Sequence, residues 1–159
     1  MEGKMAVFTA IEAIEMAMKI ERNGEVFYNE AAAKSTDPEV KTLFEDLAVQ
    51  ERGHYQTFEE MLQGTQPALE LPAEEHDQYE TYVQVALENA LFAGPDKALD
   101  LARQAEGRDI ALRAAIGFEK DTLLFYYDLR DMVNEADRET ISRIIREEKK
   151  HVRRLARML

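Results

Sequence analysis

Two stretches of this chain carry the same pattern, and that repeat restricts the fold more than any other feature. Ile20-Glu21-Arg22-Asn23, followed by Phe27-Tyr28, is matched by Phe118-Glu119-Lys120-Asp121, followed by Phe125-Tyr126. Glu51-Arg52-Gly53-His54, ending in Met61-Leu62, is matched by Glu148-Lys149-Lys150-His151, ending in Met158-Leu159. Glu119 follows Glu21 by 98 positions and Glu148 follows Glu51 by 97, so the slack of one residue fits in a loop. Self-similarity of this kind marks a duplicated supersecondary unit.

Within each copy the apolar residues recur at helical spacing. Ile11, Ile14, Met18, Phe27 and Tyr28 do so in the first helix; Val40, Leu43, Phe44, Leu47, Tyr55, Phe58 and Leu62 do so in the second. The pattern predicts helices over about 9–35, 38–62, 108–133 and 137–158. Thr9 with Glu12 forms a candidate capping box at the first. Asp37-Pro38 reads as N-cap and first helical residue of the second, and Asp137 as the cap of the fourth. Residues 64–107 have no counterpart in the repeat. They read as a crossover carrying two shorter helices, about 79–92 and 95–106, broken at Gly94-Pro95. Short loops make each helix pair an antiparallel hairpin. The expectation is one all-α domain over 1–159, a four-helix bundle of two hairpins joined by a long, partly helical crossover.

The repeated residues carry the chemistry. Residues three apart on a helix share a face, so Glu51/His54 and Glu148/His151 each present a carboxylate and an imidazole to one neighbour. A first-row divalent metal suits that oxygen and nitrogen set. Glu21 shares a stripe with Ile14, Met18 and Tyr28, and Glu119 one with Leu112, Ala115 and Tyr126. An inward carboxylate needs a counter-charge, a proton or a metal. Arg22 and Lys120 offer the competing reading, as ordinary ion-pair partners. Tyr28 and Tyr126, at matched positions, are candidates to hydrogen-bond a ligand carboxylate. His76, in the acidic crossover, reads as solvated.

Composition excludes other classes. There is no Cys, so disulfides, Cys-ligated zinc and iron–sulfur clusters are ruled out within this sequence. The net charge of −12 disfavours nucleic acid and anionic membranes as partners. Part of that charge is accounted for if four Glu face bound cations. No apolar run reaches the ~18 residues of a membrane span, and no secretory signal is visible at the N-terminus. A cytoplasmic location is the expectation.

One Glu on each of two helices and Glu-x-x-His on each of two others is the two-metal constellation of ferritin-like bundles. The sequence resembles that superfamily, and most closely its rubrerythrin-type di-iron domain, over roughly 9–62 and 108–158. The resemblance implies a metal site of Glu21, Glu51, His54, Glu119, Glu148 and His151, holding two Fe ions, with Mn or Zn as substitutes. It leaves open which carboxylates bridge; the assignment made here is that Glu51 and Glu148 bridge, with Glu21 and Glu119 terminal. It further implies an oxidoreductase that reduces hydrogen peroxide or dioxygen with electrons from a separate redox protein, working as a homodimer. Ferroxidase activity or iron storage is the alternative. Rubrerythrins also carry an extra Glu three residues after the helix-three ligand, where this chain has Thr122. Glu25, one turn after Glu21, is the candidate to support the centre in its place.

Overall fold

A computed structural model describes residues 10–65 and 94–159. Among these there are five helices and no strand: α1 (Ala10–Lys34), α2 (Pro38–Gly64), α3 (Pro95–Gln104), α4 (Arg108–Met132) and α5 (Glu135–Arg157). Thr9, His76 and the helix expected over 79–92 lie outside the described residues. None of the described helices is long and apolar enough to cross a membrane.

Local chemistry sets the boundaries. Asp37 Oδ1 accepts from the amides of Glu39 (2.9 Å) and Val40 (3.3 Å), with Pro38 occupying the first turn of α2. This satisfies donors that a helix start would otherwise leave unpaired. Gly94 and Gly107 precede α3 and α4 at φ +122° and +92°, backbone that side-chain-bearing residues avoid. At α5 the structure corrects the sequence reading. Asn134, not Asp137, is the N-cap: its Oδ1 accepts from the Asp137 amide at 2.9 Å. Asp137 sits inside the first turn, where its charge suits the helix dipole.

The hairpins α1–α2 and α4–α5 pack side by side through α1 against α4 and α2 against α5. Ile14, Ile20 and Phe27 of α1, Phe44 and Phe58 of α2, Leu112 and Phe118 of α4, and Ile141, Ile144 and Leu155 of α5 are all buried between them. Each such side chain contributes about 1.5–3 kcal/mol on burial. Helix α3 packs on α1 through the small residues Ala98 and Ala102. The Lys34 ammonium donates to the carbonyls of Arg103 and Ala105, and Arg103 pairs with Glu30 at 3.2 Å. Arg108 Nε reaches Asp37 Oδ2 at 2.9 Å, tying the start of α4 to the start of α2. The two hairpins are thereby held with their repeated faces inward.

Candidate metal centre

The bundle interior holds four carboxylates among its apolar side chains. Glu21 (α1), Glu51 (α2), Glu119 (α4) and Glu148 (α5) are each 0% exposed; His54 and His151 are 4% and 0%. They form two overlapping groups. Glu21, Glu51, His54 and Glu148 offer one set of donor atoms within 4.8 Å of one another; Glu51, Glu119, Glu148 and His151 offer another. Donors on one ion at about 2.0–2.2 Å lie at most roughly 4.4 Å apart, so a small contraction closes each group. Glu51 and Glu148 belong to both.

The imidazoles point inward with the same nitrogen. His54 Nδ1 lies 2.9 Å from Glu148 Oε1 and 3.6 Å from Glu21 Oε1. His151 Nδ1 lies 2.9 Å from Glu148 Oε2, 3.3 Å from Glu119 Oε1 and 3.4 Å from Glu51 Oε1. The rings stack with centroids 5.7 Å apart. Two tyrosines complete the pattern across the bundle: Tyr28 of α1 donates to Glu119 Oε1 at 2.6 Å, and Tyr126 of α4 donates to Glu21 Oε1.

Among the described residues, six buried side-chain polar atoms have no hydrogen-bond partner: Glu21 Oε2, both oxygens of Glu51, Glu119 Oε2, Glu148 Oε2 and His151 Nδ1. Each such atom costs about 1–3 kcal/mol if left so. Without cations, protons must balance the charge. Burial, then repulsion from Glu148, Glu21 and Glu119, pushes the Glu51 carboxyl well above its ordinary range. Burial and then Glu148 lift Glu119 to about 8, against the pull of His151. Burial also opposes ionisation of Glu21, but His54 and the hydrogen bonds around it hold it below the ordinary range. Glu148 is opposed by burial and by Glu21, yet its bonds to Glu119 and the two imidazoles hold it down as well. Burial disfavours charge on both histidines. Glu21 and Glu148 nevertheless raise His54 well above its ordinary value, and Glu119 and Glu148 raise His151 to about 11. In the metal-free centre these shifts favour protons on Glu51, Glu119 and both imidazoles and negative charge on Glu21 and Glu148, a balanced set. Two divalent cations in place of the protons give four carboxylates and two neutral imidazoles, again without net charge. The donor set fits such a pair in oxygen and nitrogen content, in number and in charge.

A family model for rubrerythrin matches residues 12–159. The chain belongs to the rubrerythrin family. Among solved structures, it is similar to a crystal structure of a candidate ferritin-like diiron-carboxylate protein from Thermotoga maritima, with a TM-score of 0.70 and 26% identity over 95% of this chain and 94% of that one. No curated protein matches. The expected ferritin-like, all-α bundle and the resemblance to rubrerythrin both stand.

Within this rubrerythrin-type centre the structure brings together all six residues singled out by the repeat, and Tyr28 and Tyr126 with them. Glu25 is not among them: its carboxylate turns to Arg52 of α2 at 2.9 Å, because an exposed guanidinium is a cheaper partner than the crowded interior. Arg22, the competing partner for Glu21, instead lies over the Tyr55 ring at 5.0 Å. Thr122 is buried and donates to the Phe118 carbonyl at 2.9 Å. Three residues were missed by sequence reasoning. Gly24 lies where a Cβ would come within 2.9 Å of the Phe118 ring and 3.1 Å of Glu51 Oε2. Glu147 and Gln50 contact the outward nitrogens of His54 and His151 at 2.6 and 2.7 Å. The available signal was the repeat itself, since each directly precedes a Glu-x-x-His.

The tyrosine bonds make a testable statement. Tyr28→Phe keeps the ring packed against Phe27, Phe44 and Phe118 but frees Glu119. Loss of such a supporting bond is expected to weaken metal affinity about 10–100-fold, measured by competition with a chelator. Affinity equal to the parent's would show that the bond does not position Glu119.

Proposed function

We propose that this chain is a di-iron oxidoreductase that reduces hydrogen peroxide, with electrons from a separate redox protein. The observation that carries it is the sharing of Glu51 and Glu148 between two buried donor groups in a member of the rubrerythrin family. On this reading Glu21 and His54 hold one iron, Glu119 and His151 the other, and Glu51 and Glu148 bridge them. An iron pair supplies two electrons to one O–O bond. The protein's part is to exclude bulk water from the carboxylates and to hold them through Tyr28 and Tyr126. Peroxide then consumes two electrons and two protons and leaves as two waters. The 159 residues contain no Cys, so they hold no Cys-ligated iron of their own to pass the electrons on.

One observation favours a second reading. Thr122 places a hydroxyl bonded to its own helix where the family resemblance expects a further carboxylate. That removes one ligand the peroxidase reading expects and leaves ferrous oxidation by dioxygen as the alternative. Anaerobic ferrous loading, then mixing with peroxide and with dioxygen under absorbance detection, separates the two. The expected result is two irons per chain and peroxide consumed much faster than dioxygen. Faster dioxygen consumption would move the assignment to ferroxidase, and a particle of two chains would count against storage. Less than one iron per chain would sink both readings.

A further inference from the structure

Glu147 and Gln50 occupy matched columns of the repeat, each one residue before the Glu of a Glu-x-x-His motif. Each reaches across to the imidazole of the other motif. Glu147 Oε2 lies 2.6 Å from His54 Nε2, and Gln50 Oε1 lies 2.7 Å from His151 Nε2. In both histidines Nδ1 faces the carboxylates, so Nε2 carries the proton and donates outward when the ring is neutral. The wiring is the same and the acceptor differs: a carboxylate in one half, a carboxamide in the other.

The orientation of Gln50 is fixed. Its Nε2 donates to Asp46 Oδ2 at 2.9 Å, and a carboxylate only accepts, so the amide oxygen must face His151. Asp46 is in turn answered by Arg154 Nη1 at 2.6 Å. Its charge therefore reaches His151 only through a neutral amide and beside a cation. Glu147 has no such intermediary. Hydrogen bonds to an ionised acceptor are about twice as strong as neutral ones, and they raise the basicity of the ligating ring. The remaining donors match across the halves: a bridging Glu pair, one terminal Glu and one tyrosine bond each.

We infer that Glu147 and Gln50 are positioning residues that make the two metal positions unequal, the Glu21/His54 position binding a divalent ion more tightly and filling first. This rests on the two-metal reading above. The Glu147 side chain is 37% exposed and shares its field with Arg143, so solvent and that cation temper the effect. The expected separation is at the lower end of the about 10–100-fold range for such partners.

The test uses Co²⁺ with the full metal-free chain, titrated anaerobically and followed by visible absorption against a competing chelator. The parent should bind in two steps about ten-fold apart. In crystals carrying one equivalent, anomalous scattering should locate the ion between Glu21 and His54. E147Q should weaken the first step and merge the two; Q50E, made together with D46N so that an amide and not a carboxylate meets the new Glu, should strengthen the second step and leave the first. The two variants push in opposite directions, so one that fails to fold leaves the other decisive. Equal steps in the parent, first occupancy at Glu119/His151, or an unchanged ratio in both variants would overturn the inference while leaving the two-metal reading intact. No Co²⁺ binding at all would overturn both.

Discussion

Glu51→Gln is expected to abolish metal binding in both halves of the centre while leaving the metal-free protein at least as stable as the parent. Glu51 is fully buried and neither of its oxygens has a partner. Burial and three neighbouring carboxylates push its carboxyl well above the ordinary range in the absence of metal, which favours the protonated form. The substitution then exchanges one neutral group for another of the same shape, which is close to free in a buried site. With metal the comparison reverses, because Glu51 belongs to both donor groups and an amide supplies no charge to either ion. Glu148→Gln should lose metal equally but behave differently without it. Glu148 is the anion lying 2.9 Å from both imidazoles, and breaking a buried ion pair costs about 3–5 kcal/mol. Glu21→Gln, which touches one group only, should leave the Glu119/His151 half able to bind. Thermal unfolding with and without metal, beside metal analysis, reads all three. One ion at full affinity in Glu51→Gln would refute the bridging assignment.

The six candidate ligands were legible because duplication fixed their register. A single Glu-x-x-His in so acidic a chain decides little, but two at matched distance from two inward Glu residues describe one half-site twice. The tyrosines were legible for the same reason: Tyr28 and Tyr126 follow Glu21 and Glu119 at equal distance, and the structure crosses them, each holding the other's Glu. The partner of Glu25 was not legible, because it is on another helix. Periodicity within α1 sets it near the Glu21 face, and only the packing of α2 brings Arg52 to it. Asp137 was misread by one turn, since Asn134 and Asp137 are both good capping types and only the turn after α4 decides between them. Gly24 gave no sequence signal, because its role is the space taken by Phe118 from α4. Nor could the sequence assign the role of α3: Ala98, Leu101 and Ala102 recur at helical spacing and mark an apolar face, but nothing in the pattern says that α1 is the helix it lies on.

The second large effect is on stability, and its size depends on pH. Chelating the metal is expected to lower the unfolding midpoint by about 8–16 °C per site. This follows from about 4.1 kcal/mol for an ion at a thousand times its Kd and about 2–4 °C per kcal/mol in a chain of this size. The drop should widen as pH rises from 6 to 8. In the metal-free fold Glu119 titrates at about 8, against an ordinary value of 4.5. The folded state therefore keeps a proton that the unfolded chain gives up, and stability falls as pH climbs through that interval. His151 acts in the same direction: its contribution is full below 6.5 and is lost as pH rises through about 11. Glu21 and Glu148, held below 4.5, contribute stability that is lost only on acidification, beneath this window. Metal binding runs the other way. The ions compete with the protons that Glu51, Glu119, His54 and His151 are biased to hold, so affinity rises with pH. The metal-free midpoint should thus fall between pH 6 and 8 while the loaded one holds or rises. Titration in buffers of different ionisation enthalpy should report the released protons directly. A gap that stays constant or narrows with pH would mean that the buried carboxylates and imidazoles do not exchange protons for metal.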